Sequence, residues 1–151
     1  MRAFTPADET WEARVRASFA RQQVMATLGI TLRRLAPGEV DLEVPFQQAL
    51  VQQHGFLHAG VLATMADSAC GYAALTLMPA DAGVLSIEFK INMMAPAKGE
   101  RFTARAVVLR AGRNITVCEA DVVAIGSGSE KVVARMLATM MTVRGRTGVE
   151  G

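Results

Sequence analysis

The chain has 151 residues, with 16 Lys and Arg against 14 Asp and Glu, a net charge of +2. Hydrophobic residues make up 51% and charged residues 20%, which excludes a disordered chain and a strongly basic nucleic-acid-binding arm. The length suits one domain with one core. No uncharged apolar run reaches the roughly 18–20 residues of a membrane span. The nearest, Gly60 to Ala80, has Asp67 in its middle. The first residues, Met1 to Glu9, show no apolar signal core. Cys70 and Cys118 cannot build a disulfide framework, and no residues have metal-site spacing. The expectation is a cytoplasmic protein with reduced thiols, no metal or cofactor, and neither membrane nor nucleic acid as a partner.

In chain order, Thr5-Pro6-Ala7-Asp8 reads as a helix start, with Thr5 as cap and Pro6 in the first helical position. Trp11, Val15 and Phe19 form one apolar stripe, and Gly29 is a stop signal. This predicts helix over residues 6–28, with a break near Gln22–Val24. A hairpin follows: Thr31 to Leu35, a turn at Ala36-Pro37-Gly38, then Val40, Leu42 and Val44 alternating with Asp41 and Glu43. Pro45 ends it, and Gln47 to Leu57 reads as loop. Gly60 to Met78 is long, rich in Ala and Leu and free of Pro, so it reads as helix, closed by Pro79 to Gly83.

Four strand-like segments complete the chain. Val84 to Met94 alternates, placing Ile87, Phe89, Ile91 and Met93 on one face and Ser86, Glu88, Lys90 and Asn92 on the other. Arg101 to Arg110 and Asn114 to Ile125 are joined by a short hairpin connection, and Lys131 to Val143 follows the turn at Gly126 to Ser129. The sequence therefore divides into an N-terminal helical segment (1–29), a strand-rich domain (30–143) and a tail (144–151) expected to be mobile. A meander of strands needs a cover for its apolar face, and only the Ala-rich helix can supply one. The fold class is α+β, an antiparallel sheet wrapped around one long helix.

Asp67 is the residue that asks for chemistry. A carboxylate mid-helix among apolar neighbours is paired, hydrated or functional. Its neighbours one turn away are Ala63 and Gly71, both tiny. Gly71 costs a helix interior about 1 kcal/mol relative to Ala, so either something needs the space or the helix packs closely on a strand. Ahead of this helix stands Gln52-Gln53-His54-Gly55-Phe56-Leu57-His58-Ala59-Gly60. The first amides of a helix have no internal partner, and small residues there let an oxyanion approach them.

His58-Ala59-Gly60, with Asp67 nine residues after the histidine and Gln52 six before it, resembles the signature of the hotdog-fold acyl-CoA thioesterases of the phenylacetate-pathway type. Ser86 to Ala97 is similar to that family's strand after the helix, with its Pro-Ala turn, and Gln52 to Phe56 resembles the medium- and long-chain acyl-CoA subgroup. The likeness runs from about Leu28 to Val143. One departure stands out: the family's first glycine is Ala59 here, which keeps the N–H but tolerates only a helical backbone without strain.

The resemblance implies a hotdog fold, a homodimer joined sheet to sheet and often paired into tetramers, and active sites built from both chains. It implies hydrolysis of an acyl-CoA thioester. Asp67 would be general base or nucleophile, the Ala59 amide the oxyanion donor helped by Gly60, Gln52 the residue that positions the thioester, and His58 a loop-ordering residue. Ser86 could assist the water. Coenzyme A phosphates call for a basic rim, with Lys90, Lys98, Arg101, Arg110 and Arg113 as candidates. An apolar tunnel for the acyl chain would draw on Phe56, Met65, Met93 and Met94. The competing readings are a hotdog dehydratase or hydratase of 3-hydroxyacyl thioesters, using His54 or His58 with the carboxylate, and a non-catalytic acyl-CoA-binding module.

Overall fold

A computed structural model describes residues 4–151. The first three residues, part of the segment read as lacking a signal core, lie outside the described residues. Helix α1 (Trp11–Arg21) begins five residues later than the Thr5-Pro6 signal predicts. Asp8 explains the delay. Its carboxylate accepts hydrogen bonds from the Thr10 amide (2.9 Å) and hydroxyl (2.8 Å), an Asx turn that precedes the helix and leaves Thr10 at the cap. The break near Gln22 is present: Gln22 is extended (φ −78°, ψ 97°), and α2 (Gln23–Leu28) follows. It stops at Gly29, whose left-handed φ of 71° lets the Ile30 amide reach back to the Met25 carbonyl at 2.8 Å.

The hairpin forms as read, from β1 (Thr31–Ala36) and β2 (Glu39–Pro45). A single 3₁₀ turn (Gln48–Leu50) leads to the long helix α3 (Ala59–Leu75), which ends three residues short of the predicted Met78. Strands β3 (Ala82–Met93), β4 (Arg101–Ala111), β5 (Ile115–Gly126) and β6 (Ser129–Arg144) complete a sheet of order β1-β2-β4-β5-β6-β3, antiparallel throughout.

α3 lies against one face of the sheet and touches every strand from β2 to β6. Its small residues, Ala66, Ala69, Ala73 and Ala74, are fully buried and let the sheet approach. Phe102, Leu42, Met136 and Met140 fill the space from the sheet side. Burying side chains of this size contributes roughly 1.5–3 kcal/mol each. Arg14 fastens α1 to the far end of α3. It donates to the carbonyls of Met78 (2.7 Å), Leu75 (3.3 Å) and Ala82 (3.2 Å), and its Nε pairs with Asp8 at 2.9 Å, so the helix end's open acceptors are filled by a buried guanidinium. Among the described residues no helix is long and apolar enough to cross a membrane.

Strand β3 departs from its predicted alternation. A bulge between Ser86 and Glu88 shifts the register against β6. Ser86, Phe89, Ile91 and Met93 thus pair with Met140, Ala138, Met136 and Ala134, all buried on the helix side. Ser86 therefore shares a face with the apolar residues it was expected to oppose, because one inserted residue inverts everything before it. β3 is also the sheet's edge, with Ile87 and Phe89 51% and 43% exposed. Beyond β6, the tail expected to be mobile turns at Gly145 and Gly148 (φ 64° and 82°) and returns to lie against Gly83.

Candidate active site

The start of α3 is set by a small hairpin. Val51 bridges Leu57, a tight turn from Gln52 to Gly55 (φ 83°) closes it, and the Leu57 and His58 amides bond to the carbonyls of Ala97 (3.0 Å) and Leu50 (2.9 Å). His58 then caps the helix. Its Nδ1 accepts from the Gly60 amide at 2.8 Å, and its carbonyl accepts from Val61 and Leu62. A side chain at residue 60 would meet His58 Nδ1 at 3.1 Å, so glycine there makes room for the cap. The Gly60 N–H is therefore already engaged. Among the described residues, the Ala59 N–H is the amide of this first turn without an acceptor, and it is exposed. Ala59 is the first helical residue with negative φ, so the departure from glycine strains nothing.

An apolar groove of about 440 Å³ borders this amide. It brings Gln52 and Ala59 together with Phe56, Met93 and Met94. Met65, the fourth residue expected along an acyl tunnel, lines neither this groove nor the cavity at Asp67, because it is fully buried within the hydrophobic core. The Gln52 side-chain oxygen accepts from the His54 amide, which leaves its NH₂ for other partners.

Asp67 is half-buried and has no ion-pair partner among the described residues. Its Oδ1 accepts from the Ser86 hydroxyl at 2.6 Å, a short charge-assisted bond, and Ser86 Oγ also lies 3.4 Å from Met140 Sδ. The bulge in β3 brings that hydroxyl to the helix. One carboxylate oxygen is thereby fixed and the other left free, at the edge of a second cavity of about 310 Å³. A side chain at Gly71 would meet nothing within 4 Å, so close helix–strand packing does not account for this glycine: it holds open the cavity beside Asp67.

The sequence did not reveal the rest of that cavity. Tyr72 and Ser68 line it, as do Ser18, Arg21 and Gln22 from the end of α1. Burial raises the Tyr72 phenol above its ordinary value, and Phe19 packs edge-on to its ring at 5.6 Å. The α1 contributions carry no local signal, because they arise only when α1 docks on α3.

The basic candidates are not brought together. Lys98 and Arg101 stand at the start of β4, and Arg110 and Arg113 at its other end, about 33 Å away by strand rise. Lys90 pairs with Leu137, on the face of β3 turned away from α3. His54 is exposed, with Nε2 3.3 Å from Gln53 Nε2.

A profile of the thioesterase superfamily matches residues 54–130, from the helix-start loop to the last hairpin. The chain belongs to the thioesterase superfamily. Its chemistry is the hydrolysis of a thioester, and its fold is the hotdog. A thioesterase family protein from Silicibacter pomeroyi shares 52% identity, with a TM-score of 0.88 over 89% of this chain and 99% of that one. Acyl-coenzyme A thioesterase 13 of Homo sapiens is 33% identical over 107 residues, 70% of this chain and 74% of the relative. The PaaI protein of the E. coli phenylacetic acid degradation operon shares the fold, with a TM-score of 0.79 at 20% identity over 90% of this chain and 95% of that one. The medium- and long-chain subgroup resemblance gains no further support from these relatives.

Proposed function

We propose that the protein is an acyl-CoA thioesterase whose active site is assembled from two copies of the chain. The observation that carries this is a separation. Asp67 and Ala59 are eight residues apart on one straight helix, so the carboxylate stands about 12 Å along the axis from its own chain's free amide. Neither half can serve one carbonyl carbon alone. A second copy supplies the missing half, and β3 offers the place to join: an unpaired edge with Ile87, Phe89 and Met93 between 43% and 51% exposed. Two such edges paired antiparallel would set α3 of one protomer against the helix start of the other, in an isologous dimer.

In that arrangement the thioester carbonyl accepts a hydrogen bond from Ala59 N–H, where the helix dipole favours the oxyanion. The free oxygen of Asp67 takes the proton of the attacking water as general base, while Ser86 holds the other oxygen in place. When the tetrahedral intermediate collapses, the C–S bond breaks and Asp67 returns that proton to the departing coenzyme A sulfur, leaving free acid and thiol. Gln52 positions the thioester through its NH₂ group. His58 fixes the helix start and moves no proton. Phe56, Met93 and Met94 keep bulk water from the oxyanion, which strengthens the amide's hold on it. The human relative's name supports coenzyme A as the carrier.

The test mixes two inactive chains. Asp67→Asn keeps the amide and loses the base; Ala59→Pro keeps the base and loses the amide. After unfolding and refolding together in equal amounts, half the dimers are hybrids with one intact site in two, so about a quarter of wild-type hydrolysis returns, read as free thiol released from acyl-CoA. No recovery on mixing refutes the shared site. Hydration of crotonyl-CoA without release of thiol refutes the hydrolase reading in favour of the hydratase.

A further inference from the structure

The Asp67 cavity has walls of two origins. α3 and β3 supply Asp67, Ser68, Gly71, Tyr72, Val84 and Ser86. The far wall comes from outside the sheet-and-helix core: the end of α1, and Val149, Glu150 and Gly151 from the segment after β6. That segment has a built seat. Gly145 and Gly148 turn the chain back, and the Val149 amide closes the turn on the Arg146 carbonyl at 3.0 Å. Val149 then lies on Gly83, where a Cβ would come within 2.8 Å of the Val149 carbonyl oxygen and 2.9 Å of its carbon. A glycine inside a strand weakens it, and here the missing side chain is what lets the second backbone approach. Arg21 Nη2 donates to the Gly151 carbonyl at 3.5 Å from the opposite side.

Resting on the hydrolase reading above, we propose that the segment Arg146–Gly151 is a specificity wall that limits the length of the acyl group. A coenzyme A arm with its nucleotide is far larger than a recess of about 310 Å³ and must lead out through an open side. A recess backed by α1 and the C-terminal segment takes the end of the substrate that stops, the acyl end. Gly71 opens the way past Asp67. The groove of Phe56, Met93 and Met94, which the sequence suggested for the acyl chain, is reassigned to the thiol arm because it borders the Ala59 amide on the other side of the carbonyl. At about 30 Å³ for each water-sized group, the recess holds roughly ten non-hydrogen atoms. Short and medium acyl groups fit; a long chain requires the segment to leave its seat.

The test compares hexanoyl-CoA and palmitoyl-CoA in the wild type, in Gly83→Ala and in a chain lacking residues 147–151. Gly83 touches neither the carboxylate nor the oxyanion amide, so its variant acts through the seat alone. The wild type is expected to favour hexanoyl-CoA in kcat/KM by at least about tenfold, a modest demand when a single methylene in a pocket can change kcat/KM by about 10–200-fold. Both variants shift that ratio toward palmitoyl-CoA by about tenfold, and Gly83→Ala keeps hexanoyl turnover within about twofold. Faster tryptic cleavage after Arg146 in Gly83→Ala reports that the segment has left its seat. A wild type that hydrolyses palmitoyl-CoA as well as hexanoyl-CoA overturns the proposal, as does an unmoved ratio in the shortened chain. Should Gly83→Ala fail to fold, the wild-type profile and the shortened chain still decide. If the wild type hydrolyses no acyl-CoA at all, the hydrolase reading itself has failed, whereas hydrolysis with an unmoved ratio removes only the wall.

Discussion

Replacing Ala59 with proline is the most direct test of the oxyanion donor, because the structure makes that substitution unusually mild. Proline lacks the N–H, and the first helical position is where a helix misses it least. Ala59 is that position, and its N–H bonds to nothing among the described residues, so no hydrogen bond within the chain is lost. The residue before a proline must be extended, and His58 already is, at φ −63° and ψ 137°. The fold should therefore change in stability by no more than about 1 kcal/mol, a melting shift within about 2–4 °C for a chain of this size. Turnover should fall by about 10²–10³, the equivalent of about 2.7–4 kcal/mol of transition-state stabilisation. Steady-state hydrolysis of hexanoyl-CoA, followed as released thiol, separates donor loss from obstruction. A donor used only in the transition state costs kcat, whereas a proline ring that merely blocks the substrate raises KM. Ala59→Gly, which keeps the N–H, should stay within a few-fold of wild type. A folded Ala59→Pro enzyme with wild-type kcat would refute the oxyanion assignment.

Asp67→Asn preserves shape and removes the base, so hydrolysis should drop by about 10²–10⁴ with no loss of secondary structure by circular dichroism. Gly71→Ala faces open space, so it should raise helix stability by roughly 0.5–1 kcal/mol in thermal melts while slowing hydrolysis of the bulkier acyl groups, because the added methyl enters the cavity. The Asp8 carboxyl is held below its usual value first by the Thr10 amide and hydroxyl and then by Arg14. Its contribution to stability is thus present above the unfolded value and lost as pH falls through the lower folded one; Asp8→Asn should flatten unfolding free energy against pH below about 4. Cys70 and Cys118 are fully buried, and burial pushes the Cys118 thiol up to about 12 and the Cys70 thiol higher still. Neither should react with iodoacetamide at pH 8 until the protein is unfolded, and the reagent should leave hydrolysis intact.

Much of the architecture was legible because the apolar period changes along the chain. The Ala-rich run of α3, the hairpin at Pro37-Gly38 and the stop at Gly29 each rest on a local rule, and the tertiary structure obeys all three. The misses have local causes too. Asp8 fell inside the helix start read at Thr5-Pro6, yet its carboxylate serves Thr10 and Arg14, and Arg14 is drawn there by the carbonyls at the end of α3, more than sixty residues away in sequence. Ser86 fell on the wrong face because a bulge is invisible to a two-residue period. Met65 is chemically indistinguishable from Met93 and Met94 in sequence, and only the direction each points separates core from groove. The basic residues were credible one at a time, but strand length keeps them apart.

The two features that looked like costs in the sequence turn out to act together. A carboxylate inside an apolar helix is unfavourable unless something holds it, and a glycine one turn further on weakens that same helix. The Ser86 hydroxyl holds the carboxylate at 2.6 Å, and it can do so only because the bulge turns it inward. Gly71 then leaves empty the space that any side chain would fill, so the free oxygen of Asp67 faces a cavity instead of a neighbour. Helix length does the remaining work. With about 12 Å between the Asp67 carboxylate and its own chain's open amide, the proposed chemistry would leave each chain with two incomplete sites, and pairing across β3 would turn them into two complete ones. Catalytic activity should therefore depend on protein concentration wherever the dimer dissociates. Specific activity measured on serial dilution should fall together with the dimer fraction from sedimentation, and a monomer that retains full activity would contradict the shared site.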